Sequence, residues 1–423
     1  MQTNIAKSTM GVIFFMCFSI IFGTTHGAAI ENVNVDADIY QNVLIEINKL
    51  KDSNGSVEYL IETDEYPVET HTVTTKDGYI LKMHRIPNGK KRKSNGKVAF
   101  LQHGILSSSA DWVIMGPDRA LAYMLADEGY DVWLGNARGN TQSRAHVSYD
   151  PDKDSKFWQF SWHEIGTIDV PLMIDYVLNN TGVDGVYYVG HSQGTTVFYV
   201  MTSILPEYNS KIKAQISLAP IGFMNHMTSP LLKLVALFQL PLEMLLKLIG
   251  VDEFLPASDF TKNVLGDAVC AEDAISQLLC TNALFAVCGF SRSQMNSTLL
   301  PIMMKYTPAG AATNQILHYG QEITSGKFRQ YDLGLLSNLR VYGSIFPPDY
   351  NLSKITSPVY LIYSRNDWLS AEKDVNRICN GMKDACKAML LMSDFSFNHL
   401  DYMFGIDAPS LVYNKVISLF TRH

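Results

Sequence analysis

The segment Gly190-His191-Ser192-Gln193-Gly194 constrains this chain more than any other. Before it, Gly185 to Val189 (GVYYV) is rich in β-branched and aromatic residues and reads as a buried strand. After it, Thr195 to Leu205 meets no breaker until Pro206 and reads as a helix. A strand turning directly into a helix forces the middle residue into a strained backbone and lifts its side chain out of the sheet. Glycines on either side lack a Cβ and let strand and helix come close. Ser192 is therefore expected to stand as a nucleophile over a helix N-terminus. The bland alternative is an ordinary strand-to-helix turn, because the pentapeptide alone is a weak signal.

The neighbouring chain has the pattern such a turn needs. Val73-Thr74-Thr75 and Tyr79-Ile80-Leu81 flank Lys76-Asp77-Gly78 and read as a hairpin. Strands are expected at Lys97–Leu101, Tyr130–Leu134 and Lys213–Ala219, with helices at Arg119–Glu128 and Asp169–Asn179. Strands alternating with helices imply a largely parallel sheet covered on both faces. The alternation stops at Pro220 and resumes with a strand at Pro358–Tyr363, a helix at Ala371–Cys379, a strand at Ala388–Met392 and a helix at Pro409–Thr421. The expected division is a core at 60–220 and 351–423, with residues 221–350 inserted as a mainly helical cap. Within the cap, Pro230 to Gly250 is strongly apolar, but Lys233, Pro241, Glu243 and Lys247 argue against a membrane span. It reads as a pair of amphipathic helices that line an acyl pocket, touch lipid, or simply pack on the core. The basic run Gly89 to Gly96 reads as a solvated turn, with attraction to anionic lipid as the other reading.

The formal net charge of −7 offers no basic footprint for nucleic acid. Lys7 followed by the uncharged run Gly11–Gly23 and the small residues up to Ala29 has the layout of a secretory signal over residues 1–28. The apolar run falls short of the ~20 residues a spanning helix needs, so no membrane anchor is expected after its removal. Residues 29–59 read as an N-terminal arm or propeptide-like segment. Cys17 leaves with the signal, and an odd number of cysteines remains. The expected pairs are Cys379–Cys386 and Cys270–Cys280, with Cys288 buried and reduced, although spacing does not determine the pairing. Asn54, Asn179, Asn296 and Asn351 open N-x-S/T sequons and are candidate glycan sites.

A serine nucleophile needs a base, and the base an orienting carboxylate. On this type of sheet the chain order is Ser, then Asp or Glu, then His. Of the histidines after Ser192, His226 and His318 fall in the cap and His423 ends the chain. His399 follows the last strand, at the sheet edge where the turn also points. Asp367 follows the preceding strand at the same edge. Asp394 lies too close to His399 along the chain for a separate loop, Asp401 is expected to face solvent or a basic neighbour, and Asp332 belongs to the cap. The developing oxyanion needs two backbone N–H donors. One is expected from Gln193 and the other from Ile105, after His103-Gly104 at the end of a strand. His103 itself is expected to shape that loop and not to act as the base.

Taken together, Tyr66–His71 (YPVETH), Asp77–Leu81 (DGYIL), His103–Ser108 (HGILSS), Gly135–Asn140 (GNARGN), Gly190–Thr195 (GHSQGT), Asn366-Asp367-Trp368 and Asn398–Asp401 (NHLD) resemble the animal acid lipase family, which includes gastric and lysosomal members. The resemblance runs from about Leu60 to the C-terminus. It implies the α/β-hydrolase fold and a catalytic triad of Ser192, Asp367 and His399. It also implies oxyanion donors at Ile105 and Gln193, a lid within the cap, long-chain fatty acyl esters as substrates, and no metal or other cofactor. His163 stands where many relatives resemble Asp, and Cys379 and Cys386 look additional to the family pattern. The expected protein is a secreted or lysosomal ester hydrolase acting on neutral lipid, triacylglycerol or cholesteryl ester. The alternative is a catalytically idle lipid-binding or storage protein on the same scaffold. A dehalogenase or epoxide hydrolase would place a carboxylate where Ser192 stands.

Overall fold

The structure, a computed structural model, describes residues 56–237, 251–255, 287–296 and 299–423. The described α-helices of seven or more residues are, in chain order, α1 (Val57–Thr63), α2 (Leu121–Asp127), α3 (Val170–Thr181), α4 (Gln193–Ile204), α5 (Pro230–Leu237), α6 (Leu300–Tyr306), α7 (Thr313–Ser325), α8 (Leu335–Tyr342), α9 (Glu372–Met382) and α10 (Asn414–Phe420). The strands are β1 (Glu69–Thr74), β2 (Tyr79–Ile86), β3 (Val98–Gln102), β4 (Asp131–Gly135), β5 (Ala145–His146), β6 (Val186–His191), β7 (Ile212–Leu218), β8 (Glu253–Phe254), β9 (Ala311–Ala312), β10 (Val359–Tyr363) and β11 (Cys386–Leu391).

Nine of these strands form one sheet in the order β1-β2-β4-β3-β6-β7-β10-β11, with β5 alongside β2. From β4 to β11 every pairing is parallel, and β2 joins β4 antiparallel. Every residue of β3 and of β6 is buried, as strands covered on both faces must be. Alternate residues serve opposite faces. Leu101, Val189, Ile216 and Ile362 pack with α2 and α10, while Phe100, Tyr188 and Leu361 pack with α3, α4 and α9. The chain visits β4 on one side of β3 and then crosses to β6 on the other. Such a switch of direction leaves a crevice beyond the carboxyl ends of the two strands. His103 follows β3 and Ser192 follows β6 at that crevice.

Between β7 and β10 the described residues add no strand to the main sheet. They hold α5 to α8 and the small β8–β9 pair. The apolar run expected as two helices is described only as far as Leu237, where α5 ends; the remainder lies outside the described residues. Residues 1–55 lie outside them as well, so the signal and most of the arm have no structural counterpart here. The basic run 89–96 is largely exposed, with Lys91 paired to Asp118 and Asp127 and Arg92 to Glu128.

Arg138 pins the loop after β4. Its guanidinium is 1% exposed, contacts Asp169 at 2.5 Å and Asp77 at 2.6 Å, and lies 4.0 Å from the centre of the Tyr79 ring. One cation thereby joins the hairpin turn, the β4 loop and the entry to α3. Replacing it by an apolar side chain strands the fully buried Asp169 carboxylate. Arg138→Met should cost about 3–5 kcal/mol in a denaturant titration; a loss of less than about 1 kcal/mol would show that the cluster is not structural.

Candidate active site

Ser192 separates β6 from α4 with φ +50° and ψ −118°, outside the ordinary regions for a side-chain-bearing residue. The packing around it explains why that backbone persists. A Cβ at Gly190 would lie 2.6 Å from the Gly194 carbonyl carbon, and one at Gly194 would lie 2.1 Å from the Gln102 carbonyl oxygen. Strand, helix and the end of β3 therefore meet at backbone contact. The Ser192 N–H donates to Leu218 O at 3.0 Å, and the Thr195 hydroxyl donates to Ser192 O at 2.7 Å.

His399 and Asp367 converge on this turn. His399 Nε2 lies 2.8 Å from Ser192 Oγ, and Nδ1 lies 2.8 and 2.9 Å from the two Asp367 oxygens. Asp367 Oδ1 also accepts the N–H groups of Leu369 at 2.9 Å and Ser370 at 2.8 Å. These donors fix the orientation of the carboxylate, whose two oxygens hold the imidazole proton on Nδ1. Nε2 is then left with its lone pair toward the serine hydroxyl. All three side chains are buried.

The loop after β3 lies against Ser192. A Cβ at Gly104 would sit 3.1 Å from Ser192 Cβ, so Ile105 follows at the same wall of the crevice. His103 fixes this loop. Its Nδ1–H donates to Gly104 O at 2.7 Å, and its Nε2 accepts from the Ala137 N–H and the Asn140 amide, both at 3.1 Å. Burial pushes its pKa down to about 4, so it is a neutral brace. Gln193 is the first residue of α4, where an N–H has no acceptor within its own helix. Its side chain donates to Gln315 on α7 at 2.7 Å.

The other candidates lie elsewhere. His226 pairs with Asp374 at 2.7 Å; His318 stacks on Trp162 with ring centres 3.5 Å apart; His423 contacts the Tyr360 hydroxyl at 2.9 Å. His163 contacts the Tyr350 hydroxyl at 2.7 Å. Asp332 accepts from Asn338 and Asp394 from Gln294. Asp401 departs from expectation: it is 2% exposed and accepts the Asn398 N–H at 2.7 Å, because the chain folds back immediately after His399. Burial raises its pKa to about 7. Cys379 and Cys386 are joined, Cys288 is free and buried, and Cys270 and Cys280 lie outside the described residues. Of the sequons, Asn179 and Asn351 are exposed, Asn296 is half-buried and Asn54 lies outside the described residues.

Two supports had no reading from sequence. His191 donates from Nε2 to the His399 carbonyl at 2.9 Å, and burial holds its pKa down at about 3, so it stays neutral. Its place inside the pentapeptide was the available signal. A short stretch of the inserted block forms the second support. Cys288 O accepts the N–H groups of both Trp368 and His399 at 3.4 Å, Gly289 O accepts from Asn398 at 2.9 Å, and Phe290 O accepts from Asn366 at 2.6 Å. It bridges the acid loop and the base loop. The asparagines beside Asp367 and His399 were the only local hint.

A parallel sheet with a strained serine at its switch point and a histidine and aspartate from later strand ends defines an α/β-hydrolase. A family model for the alpha/beta hydrolase fold matches residues 100–405, and one for a partial alpha/beta-hydrolase lipase region matches residues 57–116. Lipase 3 of Drosophila melanogaster is 48% identical, over 84% of this chain and 90% of that protein. Gastric triacylglycerol lipase of Rattus norvegicus is 38% identical, over 88% and 93%. Human lysosomal acid lipase/cholesteryl ester hydrolase is 37% identical, over 88% and 92%. The chain belongs to the acid lipase family of α/β-hydrolases. The crystal structure of a candidate lipase from Sulfolobus solfataricus shares the fold, with a TM-score of 0.54 at 13% identity over 84% of this chain and 94% of that one.

Asp401 generates a pH prediction. A carboxyl raised from the ordinary Asp value contributes stability that is fully present below about 3.9 and is lost as pH rises through its folded value near 7. Asp401→Asn stays neutral throughout and can still accept the Asn398 N–H. The stability of wild type relative to this variant should therefore fall between about pH 4 and pH 7, read as the difference in Tm across buffers. Parallel profiles would contradict the burial argument.

Proposed function

We propose that this chain is a secreted serine lipase that cleaves fatty acyl esters of neutral lipid through an acyl-enzyme. The relay Ser192 Oγ, His399 Nε2, His399 Nδ1, Asp367 carries the reading, because each link is within hydrogen-bond distance. In the mechanism, His399 takes the proton from Ser192 as Oγ attacks the ester carbonyl. The imidazolium that forms is stabilised by Asp367. The Ile105 and Gln193 N–H groups receive the negative charge on the carbonyl oxygen. His399 then protonates the leaving alcohol, and water repeats the sequence to release the fatty acid. His103 and His191, held neutral by burial, add no competing positive charge beside His399.

Relatives named as a triacylglycerol lipase and as a cholesteryl ester hydrolase support esters of these two classes. Residues 221–350 serve as the cap over the site, with a lid among them, and 60–220 with 351–423 as the hydrolase core. Residues 1–28 supply a secretory signal, 29–59 the arm, and delivery is to the exterior or to the lysosome. Among the described residues no helix is long and apolar enough to cross a membrane. Exposed Asn179 and Asn351 serve as glycan acceptors, and Cys270–Cys280 as a further disulfide. An idle lipid-binding protein would have no use for a strained serine aligned with a charged relay, and the relay disfavours that reading.

Ser192→Ala should lower kcat on a fatty acyl ester by a factor of about 10^4–10^6 while leaving the thermal unfolding profile in place. Turnover within an order of magnitude of wild type would refute the nucleophile assignment.

A further inference from the structure

Among the described residues, most of the large exposed hydrophobic side chains fall in one stretch. Leu333, Leu335, Leu336, Leu339, Ile345 and Phe346 are all exposed, from 42% at Leu333 to 76% at Leu336. Single exposed apolar residues are ordinary, but a concentrated group marks an interaction surface. Leu335, Leu336 and Leu339 share one side of α8 by helical spacing. The excursion is firmly held. Asn338, the buried residue of α8, donates to Asp332 Oδ1 at 2.8 Å and to Ile345 O at 2.9 Å, and accepts the Leu333 N–H at 2.9 Å. The Tyr342 hydroxyl donates to Tyr331 O at 2.9 Å. A single buried amide therefore closes both ends while the leucines remain in solvent.

From Leu333 to Pro348 the exposed Arg340 is the one charged side chain, in a chain whose net charge is −7; Asp332 and Asp349 flank the stretch, and Asp332 lies 3.6 Å from Arg329. The groove of about 610 Å³ beside α8 is bordered by Lys327 and Arg329, with Asp349 as its one carboxylate. The surface is also tied to the nucleophile. Gln315 near the start of α7 accepts from Gln193, while Gln321 on the same helix exchanges two hydrogen bonds with the Asp332 backbone at 2.8 and 3.0 Å. At ~1.5 Å rise per residue, about 9 Å of one helix separates these anchor points.

We propose that residues 333–346 form a lipid-docking element that seats the enzyme on an anionic lipid surface at a fixed offset from Ser192. Aliphatic tips enter the acyl boundary, and the flanking cations remain at headgroup level. The inference builds on the lipase reading above, but its test does not need turnover. Full-length protein carrying Ser192→Ala is sedimented with sucrose-loaded vesicles of phosphatidylcholine and phosphatidylglycerol. Adding L335S/L336S/L339S should weaken partitioning by about tenfold or more. Arg340→Gln should weaken it about fivefold on these vesicles and leave binding to pure phosphatidylcholine unchanged. With Ser192 intact, the same substitutions should leave turnover of a soluble butyrate ester unchanged, which also shows that the variants are folded. Unchanged vesicle partitioning by the triple variant would overturn the proposal. So would sedimentation of the unmodified chain as a dimer that the substitutions dissociate, since the face would then belong to a second copy. Absence of butyrate turnover in the unmodified protein would count against the lipase reading alone, with partitioning still deciding the docking.

Discussion

The site depends on backbone contact at three points: the end of β3, the end of β6 and the first turn of α4. Gly194 meets the Gln102 carbonyl with no room for a Cβ, and Gly190 meets Gly194 in the same way. That contact leaves Ser192 no relaxed conformation, so its φ of +50° is imposed by the packing of the sheet. The consequences run outward. The serine side chain is lifted into the crevice, the Gln193 N–H is presented at a helix start, and the His103-Gly104 loop is drawn against Ser192. Strain at one residue is stable here because the neighbouring strands are buried on both faces.

A second requirement is that the neighbouring histidines not compete with the one in reach of Ser192. Burial keeps His103 and His191 neutral, and each spends its N–H on a backbone carbonyl. Of these three histidines, His399 is the one with a carboxylate behind it. The inserted block takes part in this arrangement, because the carbonyls of Cys288, Gly289 and Phe290 tie the acid and base loops together. Elsewhere it touches the loop after β3, where the Ala309 N–H donates to Leu106 O at 2.7 Å. A movement of this block would therefore be felt at the geometry of the site as well as at its entrance.

Much of this was readable before any coordinates. The short apolar runs of β3, β6 and β7, alternating with helical stretches, announced a parallel sheet. Three chemistry-bearing residues placed after strands at one edge of the sheet announced where they would meet. Long-range contacts of polar groups were not readable. Arg138 stood out only as part of GNARGN, and nothing local showed that Asp77 and Asp169 would converge on it. Asp401 was expected to face solvent or a basic neighbour because four residues of sequence cannot show the chain folding back over its own carboxylate. The apolar cluster around α8 escaped notice for a different reason: Leu335, Leu336 and Leu339 have the spacing of a core-facing helix. Only the structure shows that this face is left exposed among the described residues.

The most direct test is a crystal structure of the protein after reaction with a long-chain alkyl phosphonate ester. The account predicts a covalent bond from phosphorus to Ser192 Oγ, with one phosphonate oxygen within hydrogen-bond distance of the Ile105 and Gln193 N–H groups and His399 Nε2 still facing Oγ. Phosphorus on another residue, or a phosphonate oxygen turned away from both N–H groups, would contradict it.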